Sequence, residues 1–216
     1  MLSTFQKTAT ALTFAAAFLA PTAHATPVIS NTVDPLAVAA PFNHNLRTTS
    51  FTTASAGGDY LLSDVQVKLD SAPSTSPSTL FASIYSDASN LPGTPLESLS
   101  VGTFDTGTNL LTFNSGAFTL TAGSTYWVVM GDNSSTQNLY WYGTTSSAVV
   151  GLAGWNINRR AGFSFNSGSS WTMANSVALY LAVNATPVTT VPEPGSFALL
   201  VAGLAGLIGF RRRQAG

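Results

Sequence analysis

The chain has 216 residues, no cysteine and only 8% charged residues, so disulfides and cysteine-based metal sites are excluded. Helix surfaces are usually built from Lys, Glu, Arg and Gln, and their scarcity here favours strands joined by polar turns. Between the termini there are eight acidic and only four basic residues, and the basic ones do not form a cluster that could neutralise phosphates. This argues against nucleic acid as a partner.

The N-terminus predicts a secretory signal peptide over residues 1–25, with a helix over its apolar part. Lys7 supplies the positive start and Ala9–Ala20 the apolar run, which is too short to span a bilayer comfortably. Ala23 and Ala25 form a small-residue cleavage site. We therefore expect signal peptidase to release Thr26 as the new N-terminus and the following domain to be exported.

Short β-type runs fill residues 26–184, which predict one extracellular domain. Val65, Val67 and Leu69 alternate with polar residues, as in a strand with one wet face. The continuous run Tyr126–Met130 is typical of a central strand that is buried on both faces. Turn signals recur between such runs, among them Gly131-Asp132-Asn133. The pattern predicts an antiparallel β-sandwich, either jelly-roll or Ig-like.

Several of these segments resemble the choice-of-anchor extracellular domains, type R in particular. The segments that carry the resemblance are Phe51–Thr53, Leu62–Leu69, Ser83–Asp87 with Leu91–Thr94, Leu120–Trp127 and Trp141–Gly143. The resemblance implies an extracellular domain that occurs with different surface anchors and for which no catalytic residue is assigned.

Catalytic constellations are weak throughout the domain. His44 is its only histidine, which we interpret as solvated, and no G-x-S-x-G turn is present to hold a nucleophilic serine. Asp105-Thr106-Gly107 copies an aspartic-protease triplet but is more simply a hairpin turn. Glu97 is the only Glu of the domain, so a glycosidase pair would need an Asp partner. We therefore predict no enzyme.

Metal and cofactor sites are equally weakly indicated. Asp87, Ser89 and Asn90 offer oxygen ligands of the kind that Ca²⁺ takes, without a repeated Asp pattern or a bidentate Glu nearby. We interpret them as a plain Asx turn. No cofactor and no metal are expected.

Aromatic residues carry the remaining ligand signal. Trp127 is interpreted as core, and Trp141 should point away from its two tyrosine neighbours. Trp155 and Trp171 lie near Asn- and Ser-rich segments and are the candidate glycan contacts, against the alternative that all large aromatics fill the core. We expect Trp155 to be partly exposed, because two glycines precede it and Asn and Arg residues follow.

The C-terminus predicts a linker over 185–191 and a sorting or anchor segment over 192–216. That segment joins Pro192-Glu193-Pro194, the apolar run Phe197–Phe210 and Arg211-Arg212-Arg213. A helix over the run would be roughly 21 Å long, short against a hydrocarbon core of about 30 Å. The arginines would stop in the cytoplasm, so we expect a transient membrane segment over 197–210.

This ending resembles the PEP-CTERM sorting signal of Gram-negative bacteria. The resemblance implies that an exosortase recognises the segment and removes the tail, and that the protein is associated with exopolysaccharide and biofilm. The favoured hypothesis is therefore an exported, non-enzymatic protein of the cell surface or matrix, in contact with exopolysaccharide. The alternatives are a secreted glycosidase and a protein-binding adhesin.

Overall fold

The computed structural model describes residues 26–188 apart from 34, 37, 43–44, 74–78 and 134–138. The predicted signal peptide with Ala23 and Ala25, His44, and the segment 192–216 lie outside the described residues. So do the helices predicted for the two termini. What the structure describes is the central domain.

The described part of the chain is built from strands joined by turns and loops. In chain order they are β1 (Thr26–Ser30), β2 (Val38–Pro41), β3 (Leu46–Thr52), β4 (Tyr60–Lys68), β5 (Leu80–Asp87), β6 (Pro92–Asp105), β7 (Leu110–Asn114), β8 (Thr119–Leu120), β9 (Thr125–Asp132), β10 (Tyr140–Thr144), β11 (Val150–Gly151), β12 (Asn156–Ser164), β13 (Thr172–Ala174), β14 (Ala178–Leu179) and β15 (Leu181–Pro187). Within the described ranges, no helix is long and apolar enough to cross a membrane.

Twelve of the described strands form one antiparallel sheet in the order β11-β1-β15-β4-β7-β6-β5-β9-β3-β12-β13, with β8 paired to β4. Register shifts at several pairings, such as the one between Val101 and Phe104, increase the local twist, and the sheet curls into a half-barrel. A small sheet, β14-β10-β2, packs against β3, β4 and β12. The all-β antiparallel class is confirmed, whereas a jelly-roll or Ig-like connectivity is not.

One cluster of buried apolar side chains, drawn from both sheets, forms the core. The alternation predicted along β4 and the residue after it is confirmed, because Val65, Val67 and Leu69 are fully buried and the residues between them are only half-buried. Strand β9 lies between β5 and β3 and is buried on both faces, as its continuous apolar run predicts. These two strands fix which face of the sheet is turned to the core.

Two boundaries differ from the sequence predictions. Gly131-Asp132 was expected in a turn, but both residues belong to β9. At Gly131 a Cβ atom would lie 2.7 Å from a Leu46 methyl group and closer still to the Phe81 ring, so these side chains would have to shift to admit a larger residue. The predicted linker begins at 185, yet β15 continues to Pro187, which pairs with Tyr60. Proline is tolerated at this strand end, and the strand therefore extends three residues into the range predicted as linker.

Candidate functional site

Strands β9, β3 and β12 send alternate side chains to the face of the sheet that is turned away from the core. On β9, Tyr126 and Val128 belong to the core cluster, so Trp127 between them points to the opposite face. Across the ladder Trp127 is paired with Ser50 on β3, and Ser50 is paired with Asn158 on β12. We call this side of the sheet the outer face.

A groove of about 410 Å³ opens on the outer face. Strands β3, β9 and β12, the turn that follows β5, and the segments at Ser147 and Asn175 surround it. Hydroxyl, amide, carboxylate and guanidinium groups dominate its lining. We call it the polar groove, and its principal side chains are those of Ser50, Thr52, Asp87, Asn156, Asn158 and Arg160.

The groove has a floor of polar side chains that bond to one another. The hydroxyls of Thr125 and Thr52 are 2.8 Å apart. Asn158 Nδ2 donates to Thr52 Oγ1 at 3.0 Å and to Ser50 Oγ at 3.1 Å, while Asn156 Nδ2 donates to Asn158 Oδ1 at 3.1 Å. We call these five residues the polar ladder. Since Asn156 is exposed, the ladder ends in an amide that a ligand can reach.

Asp87 stands at one end of the groove and is fixed by two hydrogen bonds. Its Oδ1 accepts from Trp127 Nε1 at 2.8 Å, and its Oδ2 accepts from the backbone N–H of Asn90 at 3.2 Å. Trp127 is fully buried, and a buried indole N–H needs such a partner. Trp127 is therefore buried as predicted, but on the outer face, where it holds a carboxylate in place.

The opposite side of the groove carries two arginines on a β-bulge. The register of β12 against β3 jumps between Asn158 and Ala161, which takes Arg159 and Arg160 out of the regular ladder. Arg159 donates from Nε and Nη2 to the carbonyl oxygen of Ser176, at 3.3 and 2.9 Å. Among the described residues, half-buried Arg160 has no hydrogen-bond or salt-bridge partner.

Trp155, the first candidate glycan contact, is 5% exposed, so the prediction of partial exposure is wrong. Its ring stacks on Phe51 with centroids 6.3 Å apart, and the edge contact with Tyr60 is at 5.0 Å. The alternation of β12 explains the error, because it sends Asn156 outward and Trp155 inward. Gly154, at φ +85°, turns the chain towards the core.

Trp171, the second candidate, is half-buried and precedes β13. It is outside the lining of the polar groove and outside the core cluster that contains Trp155. The structure therefore does not bring the two tryptophans together on one face. A glycan contact at Trp171 stays a prediction.

The two candidate catalytic carboxylates both secure turns away from the groove. Glu97 accepts from Ser115 Oγ at 2.9 and 3.0 Å through its two oxygens. Asp105 accepts from Thr108 Oγ1 and from the N–H of Gly107, both at 2.8 Å. These bonds, with that from Thr108 the strongest, hold the pKa of Asp105 below its ordinary value. The hairpin turn predicted at Asp105 is confirmed, since it joins β6 to β7.

The segment after Asp87 is a turn, as predicted, but its carboxylate accepts the N–H of Asn90, three residues on, rather than the N–H two residues on that defines an Asx turn. Ser89 and Asn90 both have positive φ, at 55° and 68°. Among the described residues, no three His, Asp or Glu side chains come close enough together to hold a metal ion.

Sequence reasoning missed the hydroxyl side of the groove. Thr48, Ser50 and Thr52 alternate with Thr49 and Phe51, a signal that one face of this strand is polar. Nothing local in the sequence reveals that β3 lies between β9 and β12, which is the pairing that assembles the ladder. The amides and arginines of β12 were noticed only as neighbours of Trp155.

The comparison with known families identifies the C-terminus. Residues 190–213 match the PEP-CTERM protein-sorting motif, which spans the Pro192-Glu193-Pro194 and Arg211-Arg212-Arg213 elements. This motif indicates export, membrane-anchored transit and exosortase-dependent sorting to the cell surface. No curated protein and no solved structure matches the chain.

Proposed function

We propose that this is a non-enzymatic protein of the cell surface or extracellular matrix of a Gram-negative bacterium, whose central domain binds exopolysaccharide in the polar groove. The observation that carries the proposal is the groove itself, in which hydroxyl, amide and guanidinium groups stand on paired strands of a rigid sheet. Such groups bond to hydroxyl-rich ligands. The domain would then be a choice-of-anchor module, type R, that serves in biofilm.

The carboxylates of the domain support a binding role rather than hydrolysis. Glycoside hydrolysis uses two carboxyl groups roughly 5–10 Å apart across a cleft. Among the described residues that line the groove, Asp87 is the one carboxylate, and both its oxygens accept hydrogen bonds from the protein. Glu97 and Asp105 are engaged in turns elsewhere.

Binding to exopolysaccharide is tested by co-sedimentation of the protein, as its host releases it, with the host's own polysaccharide. Asn156→Ala removes the exposed end of the polar ladder and should reduce the sedimented fraction. Asn114→Ala, which removes an exposed amide on β7 outside the groove, is the matched control and should behave as wild type. Equal retention of both variants would contradict the assignment of the groove.

The non-enzymatic part of the proposal is tested on a polysaccharide and peptide panel. We expect no cleavage by the wild-type protein. Cleavage that disappears in Glu97→Gln or Asp105→Asn would contradict the proposal and favour the glycosidase or protease alternative. A protein that aggregates cells without binding any glycan would instead be an adhesin.

The processing route follows from the sorting motif. Signal peptidase would cut after Ala25, residues 197–210 would hold the chain in the membrane, and exosortase would remove Phe197–Gly216. Replacing Pro192-Glu193-Pro194 by alanines should leave export intact and block release. Mass spectrometry of the released form tests this, and an intact tail containing Arg211–Arg213 would contradict it.

A further inference from the structure

The polar groove concentrates positive charge in a domain that is otherwise acidic. Arg159 and Arg160 are two of the four basic side chains between the signal peptide and the sorting motif, where acids number eight. Among the described residues lining the groove, Asp87 is the one acid that faces them. A ligand that fills this groove therefore meets two positive side chains and one negative side chain.

The two arginines on the β12 bulge differ in whether their guanidinium groups have hydrogen-bond partners. The carbonyl of Ser176 takes two donors of Arg159 and so fixes its guanidinium. The guanidinium of Arg160 lines the groove, and its donors meet no acceptor in the described part of the chain. A ligand carboxylate would supply the missing acceptors as a two-bond fork.

The groove side chains other than the arginines offer groups that can bond sugar hydroxyls, which an isolated inorganic anion lacks. The exposed amide of Asn156, the half-buried hydroxyls of Thr52 and Thr125 and the fixed carboxylate of Asp87 offer both donors and acceptors. Sugar hydroxyls need both kinds of group, whereas a free inorganic anion needs donors alone. Asp87 would also repel an anion that lacked hydroxyls to bond it.

We infer that the polar groove is selective for an acidic saccharide, a sugar that carries a carboxylate, with Arg160 as the residue that recognises the carboxylate. This inference rests on the proposed function and sharpens it by naming the class of polysaccharide. Asp87 and Asn156 would bond the hydroxyls of the same ring or of its neighbour along the chain.

The test uses the protein as its host releases it and measures its affinity for oligogalacturonate. The fully methyl-esterified oligomer and a neutral glucan oligomer of equal length serve as comparisons. We expect the methyl ester and the glucan to bind about tenfold more weakly, the loss typical of one charge-assisted hydrogen-bonded pair. Arg160→Gln should lower the affinity for oligogalacturonate by about the same factor.

Lys68→Gln is the matched control, because it removes the same charge from a residue that lies outside the groove. Its affinity should equal that of the wild type, and an equal loss in both variants would show that only net charge attracts the ligand. Arg160→Gln should fold, since Arg160 makes no bond within the described protein. If Arg160→Gln does not fold, Arg160→Lys takes its place. Its affinity for oligogalacturonate must fall about threefold, because lysine cannot donate two parallel hydrogen bonds to one carboxylate.

The outcomes separate this inference from the proposed function. If the acid, the methyl ester and the glucan bind equally, the carboxylate selectivity is wrong while glycan binding stands. If none of them binds and the host polysaccharide does not bind either, both fail. If inorganic sulfate or phosphate displaces the oligogalacturonate at the same concentration as the free sugar acid, the groove is an anion site and the inference is overturned.

Discussion

Trp127 and Trp155 are both buried, yet they lie on opposite faces of the same sheet and are buried for different reasons. Trp155 sits among aromatic rings in the core cluster, and its Nε1 has no partner there. Trp127 lies on the outer face, where its Nε1 is bonded to Asp87. Burial alone therefore does not separate a residue that stabilises the domain from one that shapes a site; the partner of the indole N–H does.

The largest effect should come from Trp155→Ala on the core face. Truncation of a buried tryptophan costs about 3–5 kcal/mol, enough to unfold much of a domain of ordinary stability. Trp155→Phe should cost much less, because phenylalanine keeps the ring stacked on Phe51 and removes an N–H that has no acceptor among the described residues. Urea unfolding of both variants checks this, and a loss under 1 kcal/mol in the alanine variant would contradict the core assignment.

On the outer face, Asn158→Ala should destabilise the domain by about 1–2 kcal/mol. Its amide donates to both Ser50 and Thr52, and Ser50 is fully buried, so the lost donor is not replaced by water. Asn156→Ala, one alternate position away and exposed, should stay within about 0.5 kcal/mol of wild type. Equal unfolding energies for the two variants would show that the bonds from Asn158 to Ser50 and Thr52 stabilise the domain no more than the exposed amide of Asn156 does.

Trp127→Phe tests whether the buried tryptophan of the outer face serves the groove rather than the stability of the domain. Phenylalanine keeps a buried ring but removes the bond to Asp87. We therefore expect the fraction of protein that co-sediments with the glycan to fall clearly, while the free energy of unfolding changes little. Asp87→Asn keeps an oxygen acceptor for the indole and is the control for the loss of charge. Co-sedimentation and urea unfolding, measured on the same samples, would refute this role if retention were unchanged in Trp127→Phe.

The smallest effect concerns a second polar pair on the outer face, Asp64 on β4 and Asn184 on β15. Burial raises the pKa of Asp64 above its ordinary value, and the hydrogen bond from Asn184 offsets this only in part. The ionised carboxylate is thus less favourable in the folded state than in the unfolded state. Stability should fall as the pH rises from the ordinary aspartate range, about 4, through the raised pKa.

Asp64→Asn should abolish that fall and raise the thermal midpoint at neutral pH. Asp105→Asn is the control of opposite sign, because the pKa of Asp105 is lowered and its small stabilisation is lost as the pH falls. Thermal unfolding between acid and neutral pH measures both. A midpoint for Asp64→Asn that lies below that of the wild type at neutral pH would reverse the sign assigned to Asp64.

The local sequence pattern predicted the parts of the fold in which the burial of a strand's two faces follows from the residues of that strand alone. The alternation around Val65 and the continuous run at Trp127 were interpreted correctly, because periodicity reports burial directly. The polar groove escaped prediction because Ser50, Asn158 and Trp127 are far apart in sequence and meet only through strand pairing. Trp155 was misplaced because its polar neighbours were taken to share its surroundings, although period two puts them on the opposite face.

The most direct test of glycan binding at the polar groove is an NMR titration of the released protein with fragments of the host exopolysaccharide. The indole N–H signals of the four tryptophans report on the two faces separately. We predict that the Trp127 indole and the side-chain amides of Asn156 and Asn158 shift, while the Trp155 indole does not. Shifts confined to Trp155 or Trp171, or no shifts at saturating polysaccharide, would contradict the assignment of function to the outer face.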